Sequence, residues 1–234
     1  MTWSRDLLHE NWPEEQRRQG LSTGLRDLDA TTGGIHRPSL WLLIGTPGAG
    51  RTTLACQLAA SAALSESSTV SVLSARDRPG ALLANMLCAQ GKVPAHHLFV
   101  GGLAGDDERA RMQRAMVRLS DAHLRFLCVD DRSWQHDQST SVADLNQIIG
   151  GHRAPAQLLV IDDVDLLLDK PLEEALSALR AWCDSADFSL LLTAPEEFVL
   201  LDERVHPVAR RFADVVLRLC REAVSYTHLT LPTN

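Results

Sequence analysis

The chain has 234 residues, of which 45% are hydrophobic, and carries a formal net charge of −7 at pH 7. This length is enough for one large domain, the negative charge excludes a global basic field that would attract nucleic acid, and no stretch approaches the ~20 apolar residues that span a bilayer. The five cysteines are scattered without a C-x-x-C pair, which argues against a disulfide framework or a zinc site and predicts a cytoplasmic protein: Cys56, Cys88, Cys128, Cys183 and Cys220.

Residues 1–20 differ from the rest of the chain because they are rich in charge and contain Trp3 and Trp12 among polar residues. They are too charged for a signal peptide. We expect them to form an N-terminal extension or linker outside the core, which leaves residues 21–223 as the main domain.

Six short and strongly apolar segments are predicted to be strands, at residues 39–45, 69–74, 124–130, 157–162, 188–193 and 213–220. Continuous apolar runs are typical of strands that are buried on both faces of a parallel sheet. Helical patterns lie between the strands, at 53–64, 79–91, 109–122, 141–150 and after Pro171. In the third helix we expect Met112, Met116 and Leu119 to face the core. The alternation predicts an α/β fold with a doubly wound, mostly parallel sheet and helices on both faces.

The segment GTPGAGRTT lies between the first predicted strand and the helix predicted at 53–64. It has the form of a phosphate-binding loop, G-x-x-x-x-G-K-[ST], in which backbone N–H groups and a helix N-terminus converge on anionic oxygens. The alternative is a glycine-rich turn without a ligand. We predict that ATP and Mg²⁺ bind here, that Thr52 places its hydroxyl on the metal, and that the nucleotide contacts Gly45, Thr46, Pro47, Gly48, Ala49, Gly50, Arg51, Thr52 and Thr53.

Arg51 stands where the motif has lysine. Lysine is a compact point charge, whereas arginine is a bulkier planar fork that is always charged. Arginine can still bind phosphate through two of its nitrogen atoms, so the exchange is compatible with nucleotide binding. The geometry that lysine provides at a transferring phosphate is harder to reproduce. Arg51 therefore favours binding over catalysis.

The magnesium partner of Thr52 should be an aspartate at the end of an apolar strand. Asp130 and Asp162 both occupy such positions, and we favour Asp162 because LLVIDDVDLLL leads into a helix and then a further apolar strand. Asp130 is then an ordinary strand end. The following carboxylates, Asp163 and Asp165, are either solvated neighbours, which we favour, or groups that support the metal site.

The order of these motifs, with STGLRDLD and TGGI in residues 22–35, resembles the C-terminal motor domain of DnaB-type replicative DNA helicases, a branch of the RecA-like P-loop NTPases. The segments VSVLSARDR, LLVIDDVDLLL, FSLLLTAPEE and FADVVLRLCRE are similar to later motifs of that family, so the resemblance spans residues 21–222. It implies a RecA-like nucleotide-binding domain, ATP-dependent DNA unwinding in DNA replication and a homo-oligomeric, hexameric ring. It also implies that residues 1–20 correspond to the linker that packs on the next subunit.

Three positions depart from the family pattern. The glutamate that activates the attacking water falls on Arg76, the glutamine that senses the γ-phosphate falls on Ala194, and the loop lysine is Arg51. We therefore assign no catalytic residue. The remaining candidates are Asp163 and Asp77, although Asp77 is shifted by one residue and would point elsewhere on a strand. Hydrolysis needs an oriented water and charge stabilisation at the γ-phosphate, so we expect it to be impaired.

Residues 195–212 follow the sensor position and form a basic loop in the family, but here they mix acidic with basic side chains. A solvated charged loop is therefore favoured over one that contacts DNA. Two functions stay open: an ATP-driven DNA-unwinding ring, and a non-hydrolysing nucleotide-binding scaffold or regulatory module. A third is a recombinase-like or clock-protein-like RecA fold that acts on other partners.

Residues 224–234, VSYTHLTLPTN, contain the chain's only tyrosine and no Lys, Arg, Asp or Glu. We identify residues 224–233 as the translation, in one frame, of a transposon adapter used in sequencing libraries. The alternative is a genuine polar tail. Such sequence is excluded from fold reasoning. We expect the natural reading frame to have been cut near Ala223, before the arginine finger that the family supplies to a neighbouring subunit.

Overall fold

The structure is a computed structural model that describes residues 20–65, 68–98, 102, 105–127, 156–167, 171–201 and 204–220. Several sequence predictions lie outside these residues. They are the extension before Gly20, the strand end at Asp130, the helix at 141–150 and the tail at 224–234. They stay predictions.

Eight strands are present in the described residues: β1 (Ser39–Gly45), β2 (Thr69–Ser74), β3 (His123–Leu127), β4 (Leu158–Asp162), β5 (Ser189–Pro195), β6 (Leu200–Leu201), β7 (Arg204–Val205) and β8 (Val215–Leu219). Six of them form one parallel sheet in the order β3-β2-β4-β5-β1-β8, and β6 pairs with β7 in an antiparallel ribbon. The six strands of the sheet are those predicted from the apolar runs. The strand β5 lies between β1 and β4, which places three different carboxyl ends side by side.

The helices of the described residues are α1 (Arg26–Thr32), α2 (Arg51–Ala63), α3 (Pro79–Gly91), α4 (Asp106–Ser120), α5 (Leu172–Ala186), α6 (Glu196–Val199) and α7 (Pro207–Phe212). The helix predicted at 53–64 begins two residues earlier, directly after the glycines of the phosphate loop. None of the described helices combines the length and the apolar character that crossing a membrane requires.

The sheet separates two hydrophobic cores. Alternate side chains of a strand point to opposite faces, and β1 is buried along its whole length. Leu42 packs in one core with Leu176 of α5, whereas Leu43 packs in the other with Leu58 of α2. Helices therefore cover both faces of the sheet, which confirms the predicted α/β architecture.

The helix α4 is turned slightly from its predicted orientation. Met112 and Leu119 are buried, as expected, but the prediction for Met116 is wrong because this residue is 55% exposed. Ala115, which is 3% exposed, takes the inward position. Met112 packs in a small hydrophobic cluster with Cys88 of α3 and Val93.

The lead-in motif at residues 22–35 folds around Asp29. The N–H and the hydroxyl of Thr23 donate to Asp29 Oδ1 at 2.9 and 2.6 Å, and the hydroxyl of Ser22 donates to Oδ2 at 2.8 Å. Burial opposes ionisation of this carboxyl, but these hydrogen bonds prevail and lower the pKa of Asp29. The motif thus holds α1 against the residues that precede it in the chain.

Residues 195–212 are not the simple solvated loop that their sequence favours. They contain α6, the β6–β7 ribbon and α7. Val199 and Ala209 are 1% and 0% exposed and belong to the core that also contains α5. Arg210 and Arg211 are exposed. The charged residues are therefore carried by a segment that is anchored to the core.

Candidate nucleotide-binding site

The phosphate loop connects β1 to α2 at the carboxyl edge of the sheet. Gly48 and Gly50 have φ angles of 76° and 96°, in the left-handed region that favours glycine. A Cβ atom at either position would meet nothing within 4 Å. These two glycines therefore border open space in front of a helix N-terminus, which is the space that a phosphate group needs.

Gly45 is required for a different reason. A Cβ atom there would lie 2.9 Å from the carbonyl oxygen of Leu219. Glycine at this position therefore lets β8 lie close beside β1. The loop itself is closed by a hydrogen bond of 3.1 Å from the N–H of Ala49 to the carbonyl of Thr46.

The predicted nucleotide contacts all lie in this loop or in the first turn of α2. The exposed ones are Thr46, Pro47, Gly48 and Thr53, the partly buried ones are Ala49, Gly50, Arg51 and Thr52, and Gly45 is buried.

Asp162, at the end of β4, brings together side chains from three other elements. Its Oδ1 and Oδ2 lie 3.2 and 3.1 Å from the hydroxyl of Thr52 on α2. Thr193 on β5 donates to Oδ1 at 2.6 Å, and Ser74 at the end of β2 donates to Oδ2 at 3.2 Å. The two predicted metal ligands, Thr52 and Asp162, are therefore in direct contact.

Burial raises the pKa of Asp162, which is 1% exposed. Hydrogen bonds from Thr193, Thr52 and Ser74 oppose this effect, and the negative charge of Asp163 adds to it. A cation beside the carboxylate would favour its ionised form, and hard oxygen donors are the ligands that Mg²⁺ prefers. The side chains at this edge therefore fit a magnesium ion that also contacts a bound phosphate.

The rest of the described chain offers no competing metal centre. Within the residues that the structure describes, no group of three or more His, Cys, Asp or Glu side chains is placed to hold a metal ion. A cation at Thr52 and Asp162 would complete its coordination with oxygen atoms of the nucleotide and with water.

Asp163 lies between two arginines. Its Oδ1 is 3.2 Å from Nη2 of Arg51 and its Oδ2 is 3.1 Å from Nε of Arg76. Its side chain is only 8% exposed, so the prediction of a solvated neighbour is wrong. The backbone has φ of 54°, and its N–H donates to the hydroxyl of Thr193 at 2.8 Å. Since both carboxylate oxygens already bind guanidinium groups, Asp163 is poorly placed to orient an attacking water.

Asp165 also departs from the prediction of a solvated carboxylate. It lies in the short 3₁₀ helix Val164–Leu166, and its Oδ1 is buried without a hydrogen-bond partner among the described residues. Burial raises the pKa of Asp165, the charge of Asp163 adds to this effect, and Arg51 and Arg76 oppose it. Asp165 thus belongs to the charged cluster beside the loop.

Arg51 is directed onto protein groups. Its Nη1 donates to the carbonyl of Gly45 and its Nη2 to Asp163, and the side chain is 13% exposed. Its Nε is buried and has no hydrogen-bond partner in the described part of the chain. A buried donor without a partner costs about 1–3 kcal/mol, which an anion in the loop could recover. This unsatisfied donor therefore fits a phosphate-binding role.

Arg76 and Asp77 lie beyond the last residue of β2, in a bend at residues 75–77. Their N–H groups both donate to the hydroxyl of Ser74, at 3.3 and 3.0 Å. The alternation of side chains along a strand does not apply here, so our reason for separating Asp77 from Arg76 is wrong. The side chain of Arg76 is 66% exposed and reaches Asp163. The position predicted to correspond to a catalytic glutamate thus presents a cation.

Sequence reasoning missed two residues of the site, Ser74 and Thr193. It considered the neighbouring Ala194, at the position of the sensing glutamine. Ala194 is 0% exposed, pairs with Ile44 of β1, and has no side-chain donor. Ser74 and Thr193 could each have been found as the hydroxyl side chain at the last position of a predicted strand, in TVSVLS and in FSLLLT. Both of these hydroxyl groups donate to Asp162.

A profile of the DnaB-like helicase C terminal domain family matches residues 20–178. The chain belongs to this family. The match includes the lead-in around Asp29, the phosphate loop, Arg76 and Asp162, so two of the three substituted positions, Arg51 and Arg76, lie inside the matched domain, and Ala194 lies beyond it. The resemblance drawn from the motifs is confirmed.

Individual relatives agree with this assignment. The replicative DNA helicase DnaB of Geobacillus stearothermophilus is 32% identical over 105 residues, which are 45% of this chain and 23% of that helicase. The chain therefore matches about a quarter of the length of this relative. The match supports the assignment of the domain.

Two solved structures share the fold. An ATPase domain of known structure superposes with a TM-score of 0.70 over 93% of this chain and 82% of that one. A DnaB-like replicative helicase, described with its interactions with primase, superposes with a TM-score of 0.73 over 95% of this chain and 57% of that one. Both are 16% identical to the chain. They confirm the RecA-like architecture.

Proposed function

We propose that residues 21–223 form a RecA-like domain that binds ATP with Mg²⁺ and hydrolyses it poorly. The observation that carries this proposal is the contact of Thr52 with both oxygens of Asp162, beneath a glycine loop that borders open space. Thr52 and Asp162 hold the metal, and the backbone of residues 45–53 holds the phosphates. Mg²⁺ held there would offset negative charge on the phosphates.

The poor hydrolysis follows from the groups around this centre. Arg76 stands at the position of the activating glutamate and is bound to Asp163. Ala194 stands at the position of the sensing glutamine and offers only a methyl group. Loss of one group that stabilises a transition state typically lowers the rate by about 10²–10³. Two such losses support binding without efficient turnover.

The family supports a role in a ring that moves along DNA during replication. Homo-oligomeric assembly, a hexamer by relation to replicative helicases, and ATP-dependent unwinding are proposals for this chain because it matches only part of such a protein. The exposed residues Arg210 and Arg211 give a modest local contact for DNA. Within the ring, this subunit would hold nucleotide for longer than an active one.

A second function is favoured by the same substitutions. The chain also fits a non-hydrolysing nucleotide-binding scaffold or regulatory module. It keeps Thr52 and Asp162 for the metal but departs from the catalytic pattern at Arg51, Arg76 and Ala194. A turnover assay with and without single-stranded DNA distinguishes the two functions. Hydrolysis that DNA stimulates supports the motor, and binding without turnover supports the scaffold.

The proposal is tested by isothermal titration of the 234-residue chain with ATP, in the presence and absence of Mg²⁺. We expect binding that depends on Mg²⁺ and that Arg51→Ala abolishes. Arg118→Ala serves as a matched control, because Arg118 is an exposed cation at the end of α4. Unchanged affinity in Arg51→Ala would contradict the phosphate-loop assignment, provided that circular dichroism shows a folded protein.

A further inference from the structure

Three charged side chains lie together at the edge of the phosphate loop: Arg51, Asp163 and Arg76. Asp163 is the central member and binds one guanidinium group on each oxygen, at 3.2 and 3.1 Å. Two cations therefore share one carboxylate. One guanidinium group is enough to offset the charge of one carboxylate. The cluster therefore has an excess positive charge that can bind a further anion.

The three members differ in how freely they can move. Asp163 is held by its left-handed backbone and by the hydrogen bond from its N–H to Thr193. Arg51 is 13% exposed, whereas Arg76 is 66% exposed. The member that the backbone holds is thus the anion, and Arg76 is the cation that is most exposed to solvent.

Arg76 is also tied to the metal side of the site. Its N–H donates to the hydroxyl of Ser74 at 3.3 Å, and the same hydroxyl donates to Asp162 at 3.2 Å. Asp162 in turn contacts Thr52. The backbone of Arg76 therefore stands two hydrogen bonds away from the residue pair that would hold Mg²⁺.

We propose that Arg76 is a phosphate ligand, and that Arg51 and Arg76 exchange Asp163 for phosphate oxygens when a nucleoside triphosphate binds, with Arg76 taking the terminal phosphate. The inference rests on the proposed nucleotide-binding function. Guanidinium groups bind phosphate oxygens in pairs as readily as they bind carboxylates, and a terminal phosphate carries more negative charge than Asp163. Asp163 is then an internal anion that competes with the ligand.

The exchange makes the site selective for triphosphates. Arg51 lies at the loop and can contact phosphates that both ATP and ADP possess. Arg76 belongs to the bend after β2, and its new partner is the terminal group that ADP lacks. The site has therefore replaced a carboxylate that acts on water with a cation that retains the γ-phosphate.

Calorimetric titrations with Mg-ATP and Mg-ADP test the proposal on the native chain, Asp163→Asn and Arg76→Gln. We expect Asp163→Asn to bind Mg-ATP about tenfold more tightly, because the competing charge is gone. We expect Arg76→Gln to bind Mg-ATP about tenfold more weakly and to change Mg-ADP affinity less than about twofold. Arg78→Gln is the matched control, since Arg78 is an exposed arginine two residues away.

Asparagine suits the left-handed conformation at position 163, so the first variant keeps the backbone it needs. If Asp163→Asn nevertheless unfolds, the ratio of ATP to ADP affinity in Arg76→Gln decides alone, since that side chain is largely exposed. The role of Arg76 would be overturned if Arg76→Gln weakened Mg-ATP and Mg-ADP binding equally. It would also be overturned if the ratio of the two affinities in Arg76→Gln matched that in Arg78→Gln. If the native chain binds Mg-ATP and a folded Asp163→Asn binds it no more tightly, Asp163 does not compete with the phosphate for the two arginines. Absence of binding in every variant would overturn the proposed function as well.

Discussion

Thr52 and Asp162 are 110 residues apart in the chain, yet the hydroxyl of Thr52 lies 3.1 Å from Oδ2 of Asp162. Thr52 lies at the start of α2, which follows β1, and Asp162 ends β4; these two strands are not neighbours, because β5 lies between them. Thr193 on β5 completes the arrangement by donating to the same carboxylate at 2.6 Å. The site is thus assembled across three strands, and its stability should depend on all of them.

The pH dependence of stability should reveal Asp162. Burial raises the pKa of Asp162 above its ordinary value of 3.8, so the folded state binds this proton more tightly than the unfolded chain does. Its contribution to stability is complete below the ordinary pKa and is lost as pH rises through the folded pKa. Asp162→Asn cannot ionise, so its free energy of unfolding should rise relative to that of the native chain as the pH increases above the ordinary pKa of 3.8.

Urea unfolding at several pH values without Mg²⁺ measures this difference. Asp121→Asn, at an exposed aspartate, is the control and should follow the native curve. Parallel curves for Asp162→Asn and the native chain would show that the carboxyl of Asp162 titrates normally. Added Mg²⁺ should reduce the difference, because a bound cation favours the ionised carboxylate.

Thr193→Val should destabilise the domain by about 1–3 kcal/mol, since valine keeps the shape but leaves Asp162 and the N–H of Asp163 without the hydroxyl. Thr193→Ser should restore much of the loss. Thr31→Val removes a hydroxyl whose bond to Asp27 is exposed, and it should cost less than about 1 kcal/mol. Chemical denaturation compares the three variants. Equal effects at positions 31 and 193 would speak against a structural role for Thr193.

Gly48→Ala should weaken Mg-ATP binding and cost about 1–2 kcal/mol of stability, because a residue with a Cβ is strained at φ of 76°. The added methyl group also projects into the open space of the loop. Gly80→Ala is the matched exchange, since Gly80 lies in α3 with equally open surroundings and no left-handed φ. It should stabilise the domain by up to about 1 kcal/mol. If Gly48→Ala leaves affinity unchanged, the phosphates do not lie against this part of the loop.

Arg76→Glu combined with Ala194→Gln should raise the rate of ATP hydrolysis by at least about tenfold, because the pair restores a carboxylate for the water and a donor for the γ-phosphate. Phosphate release at saturating Mg-ATP measures the rate. Arg78→Glu, which makes the same charge change in the neighbouring exposed arginine, should have no such effect. A folded double variant without gain would mean that positions 76 and 194 are aligned wrongly with the family.

The sheet and the phosphate loop could be predicted from sequence because their signals are local. Apolar runs identify the strands, and the glycines of the loop stand between a strand and a helix. The partners of Asp162 could not be predicted in this way, since the contact with Thr193 depends on the insertion of β5 between β1 and β4. The role of Asp163 depends on its left-handed turn, which directs its side chain to two arginines. Met116 was misplaced because helical spacing alone leaves the angle of a helix on its neighbour undetermined.

The position of β1 in the sheet has a consequence for how the protein is made. Both strands that pair with β1 lie late in the chain, at Ser189–Pro195 and Val215–Leu219, and Gly45 is set against Leu219. When synthesis has reached residue 178, the whole phosphate-loop motif has been made, but neither of these strands has. The nucleotide site is therefore completed only after residues 215–219 have been synthesised, and a premature stop before residue 215 would leave an intact motif on a strand that lacks β8 as its partner.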